Sequence, residues 1–138
     1  PAAWTDDFLA YDYIGAPWWK DGTYIVGNGG FSLRSKKLLS VLQEDQYNLK
    51  GDTAEDWYIC AVIRKELESR GIRFAPPELA RRFSFESNEQ DGVAWKDQFG
   101  FHGLRWTDIS SWLNVHPEYK IKNELDSWAL GVQARLKH

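Results

Sequence analysis

The chain of 138 residues has a single cysteine, Cys60. One thiol excludes an internal disulfide and a cysteine zinc cluster, and it suits a reducing cytoplasm. Basic residues are not in excess: the formal net charge is −3, which argues against a dedicated nucleic-acid binder. No apolar run approaches the roughly 20 residues of a membrane span, and no signal-peptide pattern is visible. Repeats, low-complexity tracts and linker-like stretches are lacking too. The expectation is one cytoplasmic globular domain with a real core. Catalytic signatures are equally sparse. There is no Walker loop, no GxGxxG fingerprint, no HxH or HExxH spacing and no Ser/His/Asp set.

Aromatic residues are what the chain has in abundance, at 15% with eight Trp. A Trp-rich core explains that composition, and so does a carbohydrate or nucleotide cleft. The segment Tyr11–Trp19, followed by Val26–Ser35, concentrates Gly, Pro and paired Trp in one place. Glycine lets backbone approach a ligand closely, and Trp offers a flat apolar face with one donor. These segments read as the floor of a binding cleft.

Periodicity and punctuation predict short strands alternating with helices, a mixed α/β arrangement. Trp4 to Tyr11 reads as a helical turn, and Tyr13 to Ala16 as a buried strand ending at Pro17. A turn follows at Lys20 to Gly22, then strand-like Tyr24 to Val26 and Phe31 to Leu33. Ser35 caps a helix whose Leu38, Leu39, Val41 and Leu42 face inward. After a loop at Gly51 to Thr53, one long helix runs from about Ala54 to Arg70 and stops at Gly71. Ile72 to Ala75 reads as a strand closed by Pro76 and Pro77. Arg82 to Glu86 reads as another, with Phe83 and Phe85 on one face. Glu86 to Asp97 reads as a polar, mobile loop, and Phe99 to Gly103 as a short apolar piece. From Pro117 an amphipathic helix is expected, with Ile121, Leu125, Trp128, Val132 and Leu136 on one stripe.

Four sets of residues are candidates for chemistry. Three glycines in the four positions Gly27-Asn28-Gly29-Gly30 demand tight backbone geometry. A bulge or turn accounts for them, and so does a ligand pressed against the chain. Asn28 can bond sugar hydroxyls, since its amide both donates and accepts, or close its own turn. Glu55 and Asp56 open the long helix and suit acid–base work. Thr53 as N-cap with Asp56 three residues on is the competing capping-box reading. His102, in Phe99–Gly103, can offer one nitrogen to a metal or phosphate, or sit hydrogen-bonded in a crowded corner. It lacks neighbouring ligands in sequence. His116 reads as a loop residue and His138 is terminal. Arg34, Arg81 and Arg82 are possible phosphate partners, or ordinary partners of the many acids.

These pieces, in this order, resemble an uncharacterised domain family grouped with GT-A-type glycosyltransferases and distantly like galactosyltransferases. The resemblance rests on Phe8–Trp18, Val26–Ser35, Glu55–Cys60, the Ile72–Glu86 stretch and Phe99–Gly103, and spans most of residues 4 to 103. It implies a partial GT-A-like mixed sheet with flanking helices. Residues 1–105 would be the acceptor-side domain and 106–138 a helical tail packed on it. In that likeness Gly29 and Gly30 line the sugar pocket and Asp56 is the catalytic base. Glu55 holds an acceptor hydroxyl, and His102 is a ligand to metal or diphosphate. Trp18 and Trp19 would stack on sugar faces, with Asn28 fixing orientation. The implied cofactor is Mn²⁺ or Mg²⁺, and the implied partners are a nucleotide sugar and a glycan or other hydroxyl acceptor. Compared with the family, the chain opens just after the metal-binding Asp. The nucleotide-binding half is therefore expected to be missing, or supplied by another polypeptide, and the isolated chain to be inactive. The alternatives are a non-catalytic glycan-binding module and a structural interaction piece whose C-terminal helix docks a partner.

Overall fold

The structure is a computed structural model and describes residues 3–48, 52–123, 125, 129 and 130. It is mixed α/β, as expected: small sheets with flanking helices, paired partly antiparallel and partly parallel. A 3₁₀ turn, Asp6–Ala10, opens the fold, with the Thr5 hydroxyl accepting from Asp7 N–H. Strand β1 (Tyr13–Gly15) pairs antiparallel with β4 (Ser32–Arg34). Between them lies a hairpin, β2 (Pro17–Lys20) with β3 (Thr23–Val26). Asp21 and Gly22 join its strands with φ of 50° and 79°, the two positive values that a type I′ turn requires. Pro17 does not end the extended chain. It starts β2, the one place in a strand where its missing N–H costs least.

Helix α1 (Lys36–Leu42) begins where Ser35 Oγ accepts from Leu38 N–H at 3.0 Å. Leu38 is fully buried, but Leu39 is 45% exposed, so the inward face is narrower than the run of apolar residues implies. The expected long helix is broken into α2 (Glu55–Trp57), a π-helical turn (Tyr58–Val62) and α3 (Arg64–Ser69). Gly71, at φ 77°, ends the series in the left-handed region that glycine tolerates. The Thr53 capping box is not formed. Ala54 is the N-cap, and it makes no side-chain cap bond.

Ile72 to Ala75 runs beside β1 through one parallel bridge, Tyr13 to Phe74. Arg82 to Glu86 departs from the expectation. Helix α4 (Pro77–Phe83) carries Phe83, and only Ser84–Phe85 forms strand β5. Pro77 stands in the first turn, where its fixed φ suits a helix start. Strand β5 pairs parallel with β6 (Gly100–Phe101). The segment between them is not simply solvated, since Val93 and Trp95 are buried. Helix α5 (Ser110–Val115), unforeseen in sequence, puts His116 at its C-cap. Residues 117–123 are not helical, and Ala129 and Leu130 are. Gly51, Trp128, Val132, Leu136 and His138 lie outside the described residues.

Phe8, Tyr13, Ile14, Leu38, Leu67, Ile72 and Phe83 fill the main core. Phe8 meets Phe83 edge-on at 5.2 Å, and Phe31 stacks on Phe83 at 5.3 Å. A second cluster forms where Ile109, Trp112 and Leu113 pack on Phe85 and Trp95. Asp12 ties three segments together. Its Oδ1 accepts from Ser35 Oγ at 2.6 Å and its Oδ2 from Arg73 N–H at 2.8 Å. Its own N–H donates to Arg73 C=O, and its C=O accepts from Ser35 N–H. Burial opposes the charge on Asp12, but the Ser35 hydroxyl and Arg73 N–H outweigh it and hold its pKa below the usual carboxylate range. Among the described residues no helix is long and apolar enough to cross a membrane.

Candidate functional site

The β3–β4 connection folds into a bend at Asn28-Gly29-Gly30, and Asn28 (φ 33°) turns it. Asn28 Oδ1 accepts from Gly30 N–H at 3.1 Å and Phe31 N–H at 3.3 Å. The side chain thus closes its own turn, and that bond fixes which way the amide faces. Its NH₂ group points outward, 2.9 Å from Glu86 Oε2 and 3.0 Å from His102 Nδ1.

Both sides of the bend are walled by candidate residues. On one side Asp56 Oδ2 accepts from Gly29 N–H at 2.9 Å, while its Oδ1 accepts from Trp57 N–H. Glu55 pairs with Arg34 at 2.5 Å. A side chain at Gly29 would run into Glu55, Arg34 and Asp56. On the other side a Cβ at Gly30 would collide with Nε2 and Cδ2 of His102. Gly30 is thus held to glycine by the His102 ring, whereas the contacts at Gly29 are chiefly with the movable ends of Glu55 and Arg34.

Glu86 was missed as a site residue. It follows β5, and its Oε2 accepts from Trp18 Nε1 and Asn28 Nδ2, each at 2.9 Å. Its Oε1 is 3.4 Å from His102 Nδ1. Parallel register explains the approach: Ser84 faces Gly100 and Phe85 faces Phe101, and Glu86 and His102 follow directly after these paired positions. The Glu86 carboxylate raises the pKa of His102 above the usual 6.5, burial opposes the rise, and Asp56 adds to it.

Next to this network opens a cleft of about 570 Å³, lined by Trp18, Trp19, Trp106 and residues Glu86 to Glu89. Trp18 also lies against Trp57, with ring centres 5.9 Å apart. Trp19 packs edge-on against Tyr24. Thus Asn28, Gly29, Gly30, Asp56 and His102 meet at the bend, with Glu55 beside Gly29, whereas of the predicted residues only Trp18 and Trp19 line the cleft. Arg34 is committed to Glu55. Arg81 lies apart, paired with Asp91 at 2.5 Å, and His116 belongs to the second cluster, against Trp112.

A family model matches residues 2–102. The chain belongs to the family described as Protein of unknown function (DUF5672). The DUF5672 span includes every site residue above except Trp106. No curated protein and no solved structure matches the chain.

Proposed function

We propose that this chain is the acceptor-binding part of a glycosyltransferase that moves a sugar from a nucleotide-diphosphate donor to a hydroxyl. The observation that supports this reading is that Glu86, in the wall of a Trp-lined cleft, is bonded to the Asn28–Gly30 bend, which also holds Asp56 and His102. Indole faces suit the apolar faces of sugar rings. The amide and carboxylates supply the donors and acceptors that hydroxyls need. In this reading Asp56 is the base. Its oxygens already take two amide protons, but each keeps a second lone pair for an acceptor hydroxyl. Glu55 holds the acceptor from the rim.

The resemblance also implies Mn²⁺ or Mg²⁺, hard cations that take about six oxygen-rich ligands. His102 and Glu86 stand together, but among the described residues no group of three His, Cys, Asp or Glu forms. The Asn28 N–H group also faces Nδ1, a donor where a cation needs an acceptor. Among the described residues these do not make a metal site by themselves. The test is donor-sugar turnover by the longest natural polypeptide containing this chain, with Mn²⁺, with Mg²⁺ and with chelator. Asp56→Asn, shown to be folded by circular dichroism, is expected to lower turnover at least about 100-fold. Full retention would remove Asp56 from the mechanism.

One observation favours a second reading, a glycan-binding module without catalysis. Both carboxylates of the acid pair are engaged internally, Asp56 by backbone and Glu55 by Arg34. Glycan binding without any nucleotide affinity would select it.

A further inference from the structure

Three tryptophans, Trp18, Trp19 and Trp106, line one cleft of about 570 Å³. That volume lies within the roughly 300–1,000 Å³ of small-ligand pockets. All three residues are half-buried, so each keeps part of its surface open. Glu86 and Glu89 stand in the same lining, and among the described residues lining the cleft none is basic. Lys20 follows Trp19 in the chain, but its Nζ sits 4.1 Å over the Trp57 ring, outside the lining.

Glu86 differs from the chain's other bonded glutamates. Glu44, Glu55 and Glu68 each pair with an arginine. Glu86 meets the Trp18 indole N–H and the Asn28 amide, each uncharged and at 2.9 Å, with His102 Nδ1 farther off at 3.4 Å. Among the described residues no lysine or arginine pairs with it. Its side chain is only 18% exposed. A carboxylate set among apolar rings and largely out of water projects its negative potential farther than one in bulk solvent. Indole faces are negative too, because the ring quadrupole places electron density above and below the plane. The N–H that Trp18 gives to the anion polarises that ring further. Three indoles alone suit any flat apolar face. The half-buried acid without a lysine or arginine is what selects charge.

We propose that this cleft binds an organic cation, an alkylammonium group seated against Trp18, Trp19 and Trp106 with the Glu86 carboxylate as its counter-ion. Glu89, exposed in the same lining, adds negative charge that draws the cation in. The inference goes beyond the transfer reading and does not depend on it, because it assigns the sign of the ligand's charge and involves no covalent step.

The experiment titrates the full chain with choline and with its neutral isostere, the alcohol in which a tert-butyl group replaces the trimethylammonium. Intrinsic Trp fluorescence and saturation-transfer NMR read the binding. Choline is expected to bind about tenfold tighter, the scale of a desolvated cation–π contact. Glu86→Gln keeps the size of the side chain and should lose most of that preference. Trp106→Leu should weaken choline binding about tenfold, and Trp106→Phe should recover part of the loss. Circular dichroism checks that each variant is folded. Equal binding of the two probes, or no choline binding, overturns the inference. So does a folded Glu86→Gln that keeps the full preference, or a folded Trp106→Leu that binds choline like the parent. Methyl glycosides, titrated alongside, keep the two readings apart. Glycoside binding without choline binding overturns this inference and leaves the sugar reading standing. Choline binding without glycoside binding supports the inference and counts against the sugar reading.

Discussion

Asp12 and Glu86 do similar work in different surroundings. Each carboxylate joins segments far apart in the chain: Asp12 ties β1 to Ser35 and Arg73, and Glu86 ties β5 to Trp18, Asn28 and His102. Asp12 is 8% exposed, and both its oxygens meet partners at fixed positions. Glu86 borders a cleft, and one of its oxygens faces a single partner that titrates. A hub whose bonds are all internal can only hold the fold. One with an oxygen to spare can hold the fold and also meet a ligand.

This contrast is testable at several scales. Asp12→Ala should cost about 3 kcal/mol in urea unfolding, because it removes the shared acceptor of the half-buried Ser35 hydroxyl and of Arg73 N–H. Gly30→Ala should cost about 2 kcal/mol, since the new methyl drives the His102 ring from its place. It should also shift the His102 resonances, which Asp12→Ala should leave alone in its folded fraction. Stability should depend on pH with opposite signs at the two hubs. Asp12 has a lowered pKa, so its contribution is present above the usual 3.8 and is lost as pH falls through its folded value. His102 has a raised pKa, so its contribution is complete below 6.5 and is lost as pH rises through its folded value. Thermal melts between pH 6 and 8.5 should show that small loss in the parent and not in Glu86→Gln. The smallest effect is expected at Leu39→Ala, within about 0.5 kcal/mol, because the side chain is 45% exposed.

Local chemistry was legible in the sequence. Ser35 as a cap, Asp-Gly as a hairpin turn and Gly71 as a helix stop each act through neighbours a few residues away. Where distant partners decide, the sequence misled. Asp56 did not cap with Thr53, because Gly29 N–H, 27 residues away in the chain, took its oxygen. Phe83 and Phe85 alternate like strand residues, yet the first ends a helix and the second lies in a strand. The π turn at Tyr58–Val62 carries no Gly or Pro to announce it. The same division holds at the site. The Asn-Gly-Gly bend, the acid pair and His102 stood out by composition, and they do converge. Glu86 gave no such signal, because its importance comes from Trp18 and Asn28, 68 and 58 residues away.

The parallel pairing of β5 and β6 has an evolutionary consequence. Glu86 and His102 each come one residue after the last pair of the ladder, so their spacing follows from that pairing more than from the chain that travels between them. Within residues 87–99, change is open to exposed positions such as Gln90, Lys96 and Asp97, since Val93 and Trp95 are buried and Phe99 packs on the main core. Substitutions confined to those exposed positions would leave the pair beneath them where it is.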